Sequence, residues 1–244
     1  MVQTKTLLFA SILGTAVFSS CSKDNDDVTP IQNTDGSSAV SMRWHTDVPA
    51  SPSVVGWHSG YMNADEIQFD AKLMGKNNGN GNGNGNGNGN GNGNNGGTHV
   101  HYKSKVDQRI DLFNPMPFGN LMIPYGKYDN VMLKVRLEPS PASHALYLEG
   151  DYIDNGINVP VTIVVDETMD LKAKWKDPLT IANGVDYLSF LSFNLAELTN
   201  GLTPGMLQQA SLTNGGVVIS SSSNQHIYDM ILDNLEGMMK VKFE

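Results

Sequence analysis

The sequence predicts a mainly β chain, a β-sandwich with two short helices near the C-terminus. Three observations carry that reading. Apolar and polar residues alternate with period two over many short segments, turn-forming residues separate those segments, and helical spacing is confined to two late stretches. Of 244 residues, 1–20 read as a removable export signal, 21–38 as an acidic and polar tether, and 77–97 contain only Asn and Gly. That leaves 185 residues for folding, 38 before the tract and 147 after it. One sandwich domain over 39–244, interrupted by the tract, fits that number. A chain of this size buries roughly 70% of its unfolded surface, so neither disulfides nor a metal are needed to hold it together.

The first strand is expected at Ala39–Thr46, where Val40, Met42 and Trp44 alternate with Ser41, Arg43 and His45. Asp65–Met74 repeats the pattern, with Ile67, Phe69, Ala71 and Leu73 inward. After the Asn/Gly tract, Val100–Leu112 sets Val100, Tyr102, Val106, Ile110 and Leu112 against His99, His101, Lys103, Lys105 and Asp107. The tract therefore occupies the place of a hairpin loop. Closing 21 residues instead of five costs only about 1.3 kcal/mol more, so an expanded surface loop is tolerated, and its composition predicts disorder.

Met122–Lys127 reads as a strand end and turn, and Asn130–Glu138 as a strand with Val131, Leu133, Val135 and Leu137 inward. Leu146–Ile153 and Ile157–Val165 flank Asp154-Asn155-Gly156, whose Asn-Gly step supplies the positive φ angles of a type I′ turn. Leu171–Trp175 alternates, and Val185–Leu195 is apolar on both faces, as a central buried strand should be. Val217–Ser220 is another strand. Thr203 caps a first helix with Pro204 at its first position. Asn224 opens a second, along which Ile227, Met230, Ile231 and Leu235 recur at helical spacing until Gly237. Met239, Val241 and Phe243 alternate as a last strand.

The N-terminus directs export. Lys5 precedes an uncharged run from Leu7 to Phe18, then Ser19 and Ser20 lead to Cys21. A charged start, a short apolar stretch and small residues at the cut define a secretory signal, and the run is too short to span a bilayer. Cys21 is the only cysteine, and in an exported chain a lone thiol calls for modification or an intermolecular bond. The segment Phe18-Ser19-Ser20-Cys21 resembles the lipobox of bacterial lipoproteins, with Phe18 where Leu is usual. The resemblance implies a lipidated Cys21, cleavage before it, and a membrane partner through the N-terminal lipid. Ser22, Lys23, Asp24, Asn25, Asp26 and Asp27 form a solvated tether and also resemble the export signal of Bacteroidetes-type surface lipoproteins. That likeness implies an outer-membrane protein facing the cell surface, with a periplasm-facing orientation as the alternative.

Further on, Trp57-His-Ser-Gly60, Glu66–Ala71, Tyr102–Val106, Ile110–Phe113, Gly126–Val131, Val159-Pro-Val161 and Asn224–Tyr228 occur in an order that resembles a family of uncharacterised Bacteroidetes-type lipoproteins. These are domains of unknown function with an "lp.G.Y" step before a strand. The family implies a small sandwich, Ig-like or transthyretin-like, and brings no activity with it. The Asn/Gly tract departs from the family's short loop.

Net charge is −9, or −10 once Lys5 leaves with the signal, and no basic patch exists, which excludes nucleic acid as a partner. His99 and His101 lie two apart on one strand face, half of a Zn or Cu site, with His45 or His58 as candidate completions. Lys103 and Lys105 stand alongside and repel a cation, so exposed polar-face histidines are the plainer reading. Asp151, Asp154 and Asn155 offer oxygen ligands but lack the full Ca²⁺ loop, and a hairpin turn explains them. Ser220–Ser223 has no nucleophile elbow, and no phosphate loop or dinucleotide fingerprint occurs. No catalytic residue and no cofactor is expected. Trp44 and Trp175 follow the inward pattern, whereas Trp57 and Tyr61, in a Gly-rich loop, are candidates to stack a sugar ring. The expected function is a lipid-anchored, non-enzymatic binding or interaction module. The alternatives are a surface-fibre or adhesin subunit pairing through Met238–Glu244 or another edge strand, and a glycan-binding surface lipoprotein. Its partners would be other envelope proteins or surface glycan.

Overall fold

The computed structural model describes residues 36–47, 54–74 and 98–244. Their thirteen strands and three short helices make the mainly β, sandwich-like fold that the sequence predicts. A four-stranded sheet has the order β13 (Met239–Phe243), β10 (Tyr187–Asn194), β1 (Ser37–Asp47), β4 (Met116–Pro124). Its β1–β10 pair is parallel and its other pairs are antiparallel.

The larger sheet is organised on β2 (Gly56–Leu73), 18 residues long. One edge of β2 pairs with β3 (Thr98–Asp111) from Tyr61 to Leu73. The other edge is shared. Gly56–Met62 pairs with β6 (Leu146–Asp154), and Ala64–Leu73 with β5 (Gly126–Leu137). From β6 the sheet runs through β7 (Ile157–Val165) and β12 (Gly216–Ile219) to β11 (Leu212–Thr213). From β5 it reaches β8 (Met169–Lys174) and β9 (Leu179–Ile181).

Bulges curl this sheet. Between Ala64 and Glu66, β2 carries one residue more than β5, and β3 carries one more again, with Asp107 at φ 46°. Three neighbouring strands of stepwise greater length must bend, because an unpaired extra residue increases local twist. The inward side chains alternate as expected: Val40, Met42 and Trp44 on β1, Ile67, Phe69 and Ala71 on β2, and Val131, Leu133, Val135 and Leu137 on β5 are all buried. They belong to one continuous hydrophobic core. In it Trp44 meets Phe118 edge-on at 6.1 Å, and Phe69 meets Tyr128 edge-on at 5.5 Å.

The Asn155-Gly156 hairpin has both φ angles positive, at 50° and 84°. Helix α2 (Pro204–Gln208) begins where expected, with the Thr203 side chain accepting from the Met206 amide. Helix α3 (Gln225–Leu235) also stands as expected, but Asn224 does not cap it through its side chain. Its φ is 53°, and the side chain instead accepts from the Ser211 amide and donates to the carbonyls of Ser211 and Val218. Helix α1 (Leu195–Leu198), capped by Asn194, ends the strand that the sequence extends to Leu195.

The Gly-rich stretch around Trp57 is the main correction: it is not a loop but the first third of β2. Bulges near His58 and Asp65 each shift the inward phase, from Trp57 to Met62 and Ala64 and then to Ile67 and Phe69, so no single alternation spans the strand. Gly150 on β6 is required by this pairing. A Cβ there would lie 2.7 Å from the Trp57 ring and 2.8 Å from the Gly56 carbonyl oxygen. Gly150→Ala is expected to lower stability by about 1–3 kcal/mol in urea denaturation. Gly237→Ala, where the added carbon meets nothing within 4 Å, should stay within about 0.5 kcal/mol of the parent.

Candidate functional site

Three neighbouring strands place polar side chains on the outer face of the curled sheet. Tyr61 on β2 stands opposite Asp111 of β3 on one side and Tyr147 of β6 on the other. Asn63 is opposite Arg109, and Ser59 opposite Glu149. Since side chains on one face repeat every two residues, Arg109 and Asp111 share a face on β3, and Tyr147 and Glu149 share one on β6. Ser59, Tyr61, Arg109, Asp111, Tyr147 and Glu149, with His58, Phe113 and Asn114, line a cleft of about 380 Å³.

The cleft is held by stacking. The Arg109 guanidinium lies 3.5 Å above the Tyr61 ring, Tyr61 stacks on Tyr147 at 5.4 Å, and Tyr147 stacks on His144 at 5.7 Å. His144 is in turn 2.5 Å from Asp166. A cation over an aromatic face contributes about 0.5–1 kcal/mol at an exposed site.

Its carboxylates are held ionised. Glu149 accepts the Tyr147 hydroxyl proton and, at 2.9 Å, that of Ser59; these bonds, with the nearby His58, hold its carboxyl below the usual range despite some burial. Burial together with that same carboxylate pushes the Tyr147 hydroxyl up to about 12. Burial works to raise Asp111, but the Phe113 amide at 2.8 Å, the Asn114 side chain at 2.6 Å and the Arg109 charge outweigh it and leave its carboxyl low. His58 pairs with Asp151 at 3.3 Å.

The expected stacking pair is not available in that form. Trp57 is only 7% exposed and belongs to the core, because the bulge beside it turns it inward while Tyr61 faces outward. Tyr61 does lie in the cleft, but the strands on either side of it supply the groups that cover its ring, Arg109 and Tyr147.

His99 and His101 sit on β3 as expected. His101 is 2.5 Å from Asp70, which also pairs with Lys134 at 2.6 Å, and His99 stands opposite Lys72. His101 is thus engaged in a carboxylate–lysine pair. Among the described residues no three His, Cys, Asp or Glu side chains gather to hold a metal ion. Cys21 and the segment Ser22, Lys23, Asp24, Asn25, Asp26 and Asp27 lie outside the described residues, as does the Asn/Gly tract. The Asp154 turn bonds within itself and to Gln208, at 3.1 Å in each case.

Sequence reasoning missed Arg109, Asp111, Tyr147 and Glu149. The signal was present in part, because extending the outward set past Asp107 reaches Arg109 and Asp111. Nothing in the sequence pairs them with β6. No family model, no curated protein and no solved structure matches this chain.

The depressed Glu149 carboxyl sets a pH dependence. Its contribution to stability is present above its ordinary value of 4.5 and is lost as pH falls through the lower, folded-state value. Glu149→Gln is therefore expected to flatten part of the fall in melting temperature below about pH 4.5 relative to the parent. Identical acid limbs in calorimetry would count against this ion-dipole arrangement.

Proposed function

We propose that this chain is a lipid-anchored lipoprotein of the cell envelope that works as a non-enzymatic binding module. The observation that carries the anchor is the lone Cys21, placed directly behind an apolar run and two serines. A single acyl chain binds membranes only marginally, whereas the three chains of a lipobox cysteine hold stably. The acidic residues Asp24, Asp26 and Asp27 favour display on the outer surface of the outer membrane. What supports binding is the open, pre-arranged polar cleft on the curled sheet, joined to a core that holds its strands in register. Among the described residues no helix is long and apolar enough to cross a membrane.

A surface-fibre subunit is a second reading, favoured by one feature. β13 ends its sheet, hydrogen-bonded to β10 on one side only, with β8 packed near it and Trp175 edge-on to Phe243 at 5.6 Å, and an edge strand is a template for another strand. Lys240 and Lys242, exposed on that strand, oppose such pairing. Boiling-sensitive ladders on a gel are the sign of a fibre, and a monodisperse monomer is the sign of the module.

Cys21→Ala is expected to abolish labelling by a fatty-acid probe in producing cells. A variant that is still labelled removes the anchor.

A further inference from the structure

The cleft around Tyr61 presents donors and acceptors of opposite charge at close quarters. Arg109 is fixed by its stack on Tyr61, and no described residue takes a hydrogen bond from it. Its planar fork of five N–H donors therefore remains open in a set orientation. Glu149 lies across the cleft and Asp111 beside Arg109 on β3, and the internal hydrogen bonds of each carboxylate leave acceptor positions free. Asn114 and His58 complete the polar rim, and Phe113, half-buried against the core, forms an apolar wall.

Charge decides what fits. An anion gains Arg109 but meets Glu149 and Asp111, and a cation gains the carboxylates but meets Arg109. A neutral molecule with many hydroxyls satisfies both, since each hydroxyl donates and accepts, and its C–H face can lie on Phe113. The cleft, at about 380 Å³, is at the small end of the roughly 300–1,000 Å³ typical of ligand pockets.

We propose that this cleft binds an uncharged mono- or disaccharide unit, with Arg109 donating to its hydroxyls and Glu149 and Asp111 accepting from them. This deepens the binding-module reading and rests on it. Glycoside hydrolysis needs one carboxyl protonated as a general acid, and the hydrogen bonds around Glu149 and Asp111 favour the ionised form of both, which supports binding over cleavage.

The test is saturation-transfer NMR on the whole protein. The probes are cellobiose, maltose, lactose and xylobiose, with glucuronic acid and glucosamine as charged counterparts. A neutral disaccharide is expected to bind and to be recovered intact. Arg109→Ala and Glu149→Gln should each weaken it by at least about tenfold, because hydrogen bonds to charged groups are the strong ones. Asp111→Asn is the substitute if either variant fails to melt like the parent. The proposal is overturned if only the charged sugars bind, if the variants bind as the parent does, if the sugar is cleaved, or if no probe binds. Cys21→Ala should bind the sugar like the parent, so a lost anchor and a lost ligand are read separately.

Discussion

The pairing of β2 along both of its edges is the constraint on which the rest of the structure depends. Two consecutive strands, β5 and β6, need the same edge, and the 18 residues of β2 give each a separate length of it. A shorter strand would serve one partner and leave the other's backbone groups unpaired, at a cost of about 1–3 kcal/mol for each buried group. The bulges follow from the same demand. Each inserts a residue where the partner changes or the sheet bends, and each resets which side chains face the core.

The cleft is a by-product of that geometry. Where β6 takes over the edge of β2, the outer faces of three strands bring an arginine, two carboxylates and two tyrosines into register. Residues from β3 and β6 meet only because β2 lies between them. Tyr61 is the central contact: through its two faces it joins Arg109 to Tyr147, and through Tyr147 it is coupled to Glu149. The site's central members Tyr61, Arg109, Asp111, Tyr147 and Glu149 share these contacts and sit on strands, whereas Phe113 and Asn114 lie in the bend after β3.

Much of the sheet was legible in the sequence. β1, the second part of β2, β5 from Val131 onward and the β6–β7 hairpin each keep one phase of alternation, and Asn155-Gly156 marks its turn without help from tertiary structure. The beginning of β2 was not legible, since two phase shifts within 18 residues remove the period on which strand detection rests. Trp57 shows the consequence: read as part of a loop it looks free to stack, whereas a strand with a bulge buries it. Arg109 and Asp111 fall on the outward side that alternation marks, but their meeting with Glu149 depends on β2 joining β6, a long-range pairing that no local pattern encodes. The two-sided apolar character of β10 did place it in the middle of its sheet, although Leu188 and Phe190 are only half-buried on the outer face.

Native-state hydrogen exchange along β2 tests this account most directly. If one doubly paired strand holds both wings of the large sheet, the amides of Met62, in the part paired with β6, and of Phe69, in the part paired with β5, exchange only through global unfolding. They then share one free energy, equal to that from denaturation. Exchange of the Gly56–Met62 portion at a lower free energy, insensitive to denaturant, while Ile67 and Phe69 stay protected, would show two independent units and contradict the central role given to β2.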